Sequence, residues 1–542
     1  MGVSRSFRSA WMTVVAVAVV LSVLLAACSG GGNAGSQSAG TQSGAGGGTG
    51  TGSTPAATST PAASTPAPSE EPAPQFDTFE HITMFAPAGK VPQDLDLINQ
   101  TISEYIKDKL NADFQLNIIE WGGWRDTINL KIASNEEFDI VWTANWDNFA
   151  SRVQQGAFLP LNDLIDKYAP DAKAVIPPAL LEGGVFPDGY NYGLPVNKEI
   201  GSQRGVLLRK DLLDKYNLDP KSIKKLEDLE AFFEVIKNNE PDVVPFYTQK
   251  DSVTANSILD VKNFIELHTF AVLRREADDY KVILKYEDPL FLEGLKLQRK
   301  WFEAGYVNKD AATITDFSGG IKAGKAFSFA EWLKPGKDAE VSASSDFDWV
   351  QVELTTPFIS TSDTLGSMMS ISRTSSDPER AMRFLNMLYH DEYLLNLLVF
   401  GIEGQHYVKV EGKDNIIKLP DGLTPQTSGY NLGTAYMFGN QFLDYLWENE
   451  DPQKWEKFKA FNESAEASRV LGFIFNTEPV KNEIAAFNNV KDQYGPGLLS
   501  GSLDPEQYLP EFISKVKAIG GDKIVAEVQK QLDEWLTARG KN

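Results

Sequence analysis

The sequence predicts an α/β protein of two lobes with a helix-rich C-terminal part. Three observations carry this. Between residues 81 and 168, stretches alternating at period two take turns with stretches of helical spacing. A second series of the same kind opens near Gly205. Residues 76–542 also exceed what a single hydrophobic core usually serves.

In chain order, His81–Ala86 reads as a strand. Leu95–Leu110 follows as a helix, with Leu95, Ile98, Ile102, Tyr105, Ile106 and Leu110 on one face. Phe114–Trp121 alternates as a strand, a helix is expected from about Trp124 to Ser134, and Phe138–Trp142 is a further short strand. Leu161–Tyr168 adds a helix. The second series begins with the apolar strand Val206-Leu207-Leu208 and the helical turn Lys210–Tyr216. Leu226, Leu229, Phe232, Phe233 and Ile236 then mark an amphipathic helix, Val243–Tyr247 a strand and Phe291–Phe302 a helix. Lys325–Trp332, Phe347–Leu354 and Gly366–Arg373 read as strands. Pro378 in a first turn, with Ser376 and Glu379 spaced as a capping box, starts a helix that presents Ala381, Phe384, Leu385 and Leu388. From about Asp391 the chain reads as mostly helical and rich in aromatic residues.

The N-terminus has a different character. Arg5 and Arg8 precede an apolar run, Trp11–Ala27, interrupted only by Thr13 and Ser22. A basic start, a short apolar stretch and a small-residue end describe an export signal, and the run falls short of the ~20 residues a spanning helix wants. Leu25-Ala26-Ala27-Cys28 resembles the lipobox of bacterial lipoproteins, which implies a lipidated Cys28 at the mature N-terminus. The competing reading is an uncleaved anchor. Cys28 is the only cysteine, so disulfides, thiolate metal sites and a Cys nucleophile are excluded. Ser29–Gln75 is almost wholly Gly, Ser, Thr, Ala and Pro and cannot bury enough apolar surface to fold. As a flexible coil it spans about 35–40 Å.

Fifty-one Lys and Arg stand against 74 Asp and Glu, a formal net charge of −23. That balance argues against nucleic-acid and anionic-lipid binding, which use basic surfaces.

The order of elements resembles the extracellular solute-binding proteins of bacterial ABC importers, of the maltodextrin-binding, family 1 kind. Glu136–Trp142 is similar to that family's strand entering the cleft, Gly189–Pro195 to its first crossing between lobes, and Val206–Leu213 to the start of its second lobe. Phe317–Trp332 resembles the return to the first lobe. Gly429–Gly433 and Phe458–Phe475 resemble a longer lipoprotein subgroup that ends in a module of unknown function. The resemblance implies a type II periplasmic-binding-protein fold, each lobe a doubly wound sheet. It divides the chain into a signal peptide (1–27), an anchored linker (28–75), the first lobe (76–200), the second lobe (201–316), a first-lobe return (317–374), and a second-lobe return with the helical module (375–542). It further implies a monomeric, non-enzymatic receptor on the outer face of the membrane. Such a receptor needs no cofactor or metal. It captures a carbohydrate, an oligosaccharide above all, by lobe closure and hands it to permease subunits.

Ligands of open α/β sheets bind beyond the carboxyl ends of strands. Three such loops carry suitable chemistry: Pro87–Lys90, Trp121–Trp124 and Trp142–Asp147; Glu331-Trp332 ends the returning strand. Sugars offer C–H faces on which aromatic rings pack, and hydroxyl rims that carboxylates and amides bind. The expected ligand contacts are therefore Lys90, Trp121, Trp124, Asn145, Trp146, Asp147, Glu331 and Trp332, with Asn197. The resemblance adds Tyr430 and Asn431 as residues closing over the cleft. A Trp after a strand is more often core than ligand surface, and Trp142, inside an apolar strand, reads as core; Trp332 and Trp146, each beside a polar residue, are the strongest candidates. Lys90 reads equally as a solvated loop lysine, and Gly429 with Gly433 as a plain turn. Two other readings stand: a surface glycosidase drawing on Glu120, Asp147 and Glu331, and a non-transporting adhesin or sensor. His81, His268, His390 and His406 are too scattered for a metal motif.

Overall fold

The computed structural model describes residues 76–541 except 251–252, 315–316 and 426, all within one compact unit, Pro72–Asn542. Cys28, the export signal and the linker lie outside the described residues. Among the described residues no helix is long and apolar enough to cross a membrane.

The first lobe forms around β1 (Glu80–Ala88). Helix α1 (Leu95–Leu110) buries Ile98, Ile102, Ile106 and Leu110, the face its spacing predicts, and ends at Asn111 in the left-handed region. Asn is among the few residues that take that conformation readily. Next, β2 (Ala112–Glu120) lies parallel to β1 in register from Glu80↔Ala112 to Ala88↔Glu120. Helix α2 (Trp121–Ser134) begins at once, so Trp121–Trp124 is its first turn and not a loop. That turn points Trp121 outward and buries Trp124. On the other side of β1 runs β3 (Ile140–Thr143), also parallel. The short edge strand β4 (Leu194–Pro195) completes this stretch.

The second lobe opens with β5 (Gln203–Arg209). Helix α3 (Glu230–Asn239) buries Phe232, Phe233 and Ile236, and β6 (Val244–Phe246) follows. An antiparallel meander comes next: β7 (Phe264–His268), β8 (Ala271–Arg274) and β9 (Ile283–Leu284). After α4 (Pro289–Glu303) come β10 (Ala326–Leu333), β11 (Trp349–Glu353), β12 (Phe358–Ile359) and β13 (Met368–Ile371). The first sheet has the order β2-β1-β3-β13-β4 and the second β11-β5-β10-β6.

This topology corrects the expected division of residues 317–374. Strands β10 and β11 pair antiparallel with β5 in the second sheet, and only β13 returns to the first. An apolar strand such as AFSFAEWL carries no mark of the sheet it joins; the pairing decides that. Helices α5 (Pro378–Met387) and α6 (Glu392–Phe400) bury Phe384, Leu385, Leu394 and Leu398 in the core that holds β1–β3, so they too belong to the first lobe. The cap of α5 also sits one residue later than expected. With Pro378 as first helical residue, Asp377 takes the cap position and accepts the Arg380 N–H, while Glu379 pairs with Arg383.

Residues 401–453 are mostly loops and two- or three-residue strands, so the chain is not uniformly helical after Asp391. Helices dominate again in α7 (Lys481–Ser500), α8 (Pro505–Ala518) and α9 (Gly521–Ala538). These close over the meander: Phe487, Phe512, Ile524 and Val528 share a core with Phe264, Val272 and Leu273.

Glu199 lies on the first crossing, between β4 and β5, almost enclosed. Its Oε1 accepts from Lys198 at 3.2 Å and Lys334 at 3.3 Å. Burial alone raises this carboxyl, but the two ammonium groups outweigh it and hold the group down to about 2. A folded value below the unfolded one means stability that is present above about pH 4.5 and lost as pH falls from there toward 2. Glu199→Gln should therefore lower the melting temperature at pH 7 by an amount equivalent to about 3 kcal/mol and flatten the acid limb between pH 4.5 and 3. Parallel melting-temperature profiles for variant and wild type would refute this role.

Candidate functional site

Beyond the end of β3, Asn145–Asp147 makes one tight turn before Asn148, which is left-handed. This turn and α2 assemble four tryptophans, Trp121, Trp124, Trp142 and Trp146, with neighbouring ring centroids 5.2–6.1 Å apart. Asp147 lies beneath them, 1% exposed. It accepts from Trp124 Nε1 at 2.6 Å, Arg125 Nε at 2.8 Å and Arg152 Nη1 at 3.0 Å. Trp142 is likewise buried and donates from Nε1 to Ser367. Trp121 and Trp146 remain exposed and border a shallow hollow of about 340 Å³ with Arg125 and Asp126.

A larger cavity of about 700 Å³ is lined by both lobes and the segments that join them. From the first lobe come Asn145 and Ser151, from the second Arg204, Asp260, Glu266 and Trp332, and from the crossing Ser360–Asp363. Asn145 is held by its backbone N–H on the Leu365 carbonyl and donates from Nδ2 to Ser362 at 3.1 Å.

Arg204 and Trp332 are register partners on β5 and β10. The guanidinium lies 3.7 Å from the indole centroid. Burial lowers the Arg204 value to about 10, and its Nε has no partner among the described residues. Trp332 is 44% exposed, so much of its ring remains available. Lys285 pairs with Asp260 at 2.9 Å. Burial raises both the Glu266 and the Asp363 carboxyls, while Ser360 and Ser202 bond to Asp363 and oppose its rise. The cavity therefore combines an exposed aromatic face, amide and hydroxyl groups, and more carboxylate than free cation.

Of the residues singled out in the sequence, Asn145 and Trp332 line this cavity. Trp121, Trp124, Trp146 and Asp147 border the smaller hollow, Trp124 and Asp147 from within the core. Glu331 is half-buried and accepts the Trp332 N–H. Asn197 is buried and donates to Asn440 Oδ1 at 2.9 Å; Tyr430 is buried with its hydroxyl on the Leu398 carbonyl. Asn431 borders a separate hollow beside Trp447, and Lys90 is exposed on the loop after β1 and lines none of these. Trp124, Asp147, Asn197 and Tyr430 are thus buried, with polar atoms engaged by other residues of the protein. The glycosidase reading also loses Asp147, whose oxygens are already engaged by three donors.

Sequence reasoning missed Arg204, Asp260, Glu266, Lys285 and the Ser360–Asp363 turn. Ser360-Thr361-Ser362-Asp363 carries a readable signal, since Ser and Asp three apart form the capping box found here. Of the others, Arg204 and Glu266 come from ordinary-looking strands, Asp260 from a short helix and Lys285 from a helical turn, and they become neighbours only in the folded chain.

A family model described as "Bacterial extracellular solute-binding protein" matches residues 96–394, and one described as a domain of unknown function, DUF3502, matches residues 469–537. A carbohydrate ABC transporter substrate-binding protein of Streptococcus pneumoniae serotype 4 (strain ATCC BAA-334 / TIGR4) is 32% identical over 455 residues, 83% of this chain and 89% of that protein. The N-glycan transport solute binding protein NgtS of Streptococcus pneumoniae matches with a TM-score of 0.76 at 30% identity, covering 85% of this chain and 99% of that one. The same protein in complex with Man5GlcNAc matches at 0.66 with 31% identity, covering 84% and 99%. On these grounds the chain belongs to the bacterial extracellular solute-binding proteins.

Proposed function

We propose that this protein captures an oligosaccharide in the cavity lined by both lobes and presents it to the permease of an ABC importer. The observation that supports this best is the exposed Trp332 ring, held by Arg204 and set in one cavity with Asn145 of the other lobe. A ligand touching both lobes favours the closed arrangement by its differential affinity, which is all a receptor of this kind needs. The relatives named above are a carbohydrate ABC transporter substrate-binding protein and an N-glycan transport solute binding protein, which points the same way. Trp332 and Asn145 are assigned to ligand contact, and Trp121 and Trp146 to an outer rim. A thermal-shift screen over neutral oligosaccharides tests the reading: melting temperature should rise with at least one, and no shift with any would count against it.

The lipid anchor at Cys28 completes the proposal, because a receptor without a tether diffuses away from its importer. Wild type expressed with labelled palmitate should incorporate label and partition with membranes. Cys28→Ser should do neither, and label retained in that variant would refute the anchor.

A further inference from the structure

We propose that the C-terminal module, residues 469–537, builds one wall of the ligand cavity and contacts uncharged sugar units there. This rests on the oligosaccharide reading above. The opening segment of the module supplies Phe473, Ile474, Phe475 and Thr477 to the lining. Next to it the lining continues with Glu266, His268 and Thr269 of the meander, and that meander stands on the module's own helices through their shared core. The wall is therefore the joint product of an excursion within the second lobe and a module that follows both lobes in sequence.

Its fastening is specific. Glu466-Ala467, just ahead of the module, pairs parallel with β12, whose chain continues into the cavity turn Ser360–Asp363. Arg469 donates to the carbonyls of Arg274, Arg275 and Asp279 at 2.9–3.1 Å. The Gly472 N–H donates to Thr361 Oγ1 at 3.0 Å. The His268 ring lies 5.1 Å from that of Phe475, and its Nε2 has no partner among the described residues. Thr269 is left-handed at φ 48, a conformation a β-branched residue rarely accepts without a purpose in the surrounding structure.

The chemistry of the wall suits a neutral sugar. Ile474 and Thr477 are half-buried, giving aliphatic and hydroxyl surface backed by buried rings. Glu266 and Asp363 share the lining with Arg204 and the Lys285–Asp260 pair, so the cavity carries no excess of cations to hold an anionic ligand.

Calorimetric titration of the full chain with Man1GlcNAc and Man5GlcNAc tests the inference. Thr477→Trp fills the wall and Ile474→Ala thins it. Each should weaken Man5GlcNAc binding about ten-fold while melting temperature stays near that of wild type. Lys523→Ala, paired with Glu483 on the outer side of α9, should leave affinity within about two-fold. Unchanged affinity in both wall variants, alongside weakened binding in Trp332→Ala, would overturn the inference and leave the receptor reading standing. Equal weakening in Lys523→Ala would overturn it as well, by showing a general effect of disturbing the module. A wild-type chain that binds neither of these glycans nor any other neutral oligosaccharide of a panel would overturn the oligosaccharide reading and this inference together.

Discussion

Asp147→Ala is expected to destabilise the protein by about 3–5 kcal/mol, the range for removing one partner of a buried ion pair. The size follows from what stays behind. Arg152 is 1% exposed, and Asp147 is the only acid within salt-bridge distance of it among the described residues. Burial already lowers its value, opposed by Asp147, so without the carboxylate a guanidinium remains in the core uncompensated. Trp124 Nε1, buried beneath the cluster, loses its acceptor too, which adds to the cost. Asp147→Asn keeps an acceptor and should lose less. Urea unfolding monitored by tryptophan fluorescence measures this, since the four clustered rings report on the lobe. A loss below about 1 kcal/mol in the alanine variant would mean that water reaches Arg152 and that the site is not sealed.

Trp332→Ala should weaken glycan affinity about 10- to 100-fold, or about 1.4–2.8 kcal/mol, with little change in melting temperature. Trp332 is the penultimate residue of β10, with nearly half its surface exposed, so removing the ring creates no core cavity. Its contribution to binding combines stacking area with the stacked Arg204, whose positive charge holds the ring in place. Trp332→Phe should recover part of the loss. Asn145→Ala should fall short of the same effect, because part of that side chain is already engaged by Ser362. If Trp332→Ala bound as tightly as wild type, the ligand would have to lie elsewhere, and the Trp121–Trp146 rim would be the place to look.

Local periodicity made much of the fold legible. Helix α1 was expected at Leu95–Leu110 and forms there, because four of its predicted apolar positions find a core to enter. Sheet membership was not legible in the same way. Strand β10 is as apolar as β3, and nothing in either stretch says which neighbour it will bond; the antiparallel register with β5 places it in the second lobe. The same limit applies to the site. Asn145 and Trp332 were readable as polar and aromatic residues at strand ends. Asp147 looked equally suitable, yet two arginines and a tryptophan from outside that turn claim it. Tyr430 was expected, by resemblance, to close over the cleft, but its ring is buried and its hydroxyl anchored. Arg204, Glu266 and Thr477 gave no signal, because their significance arises only when β5, the meander and the C-terminal module meet around one cavity.

The most direct measurement is a calorimetric titration of the full chain with Man5GlcNAc and a panel of other neutral oligosaccharides. Saturable one-to-one binding of at least one member, with a negative heat-capacity change and loss of affinity in Trp332→Ala, is the predicted result. The absence of binding heat for every glycan in the panel at two temperatures would contradict it.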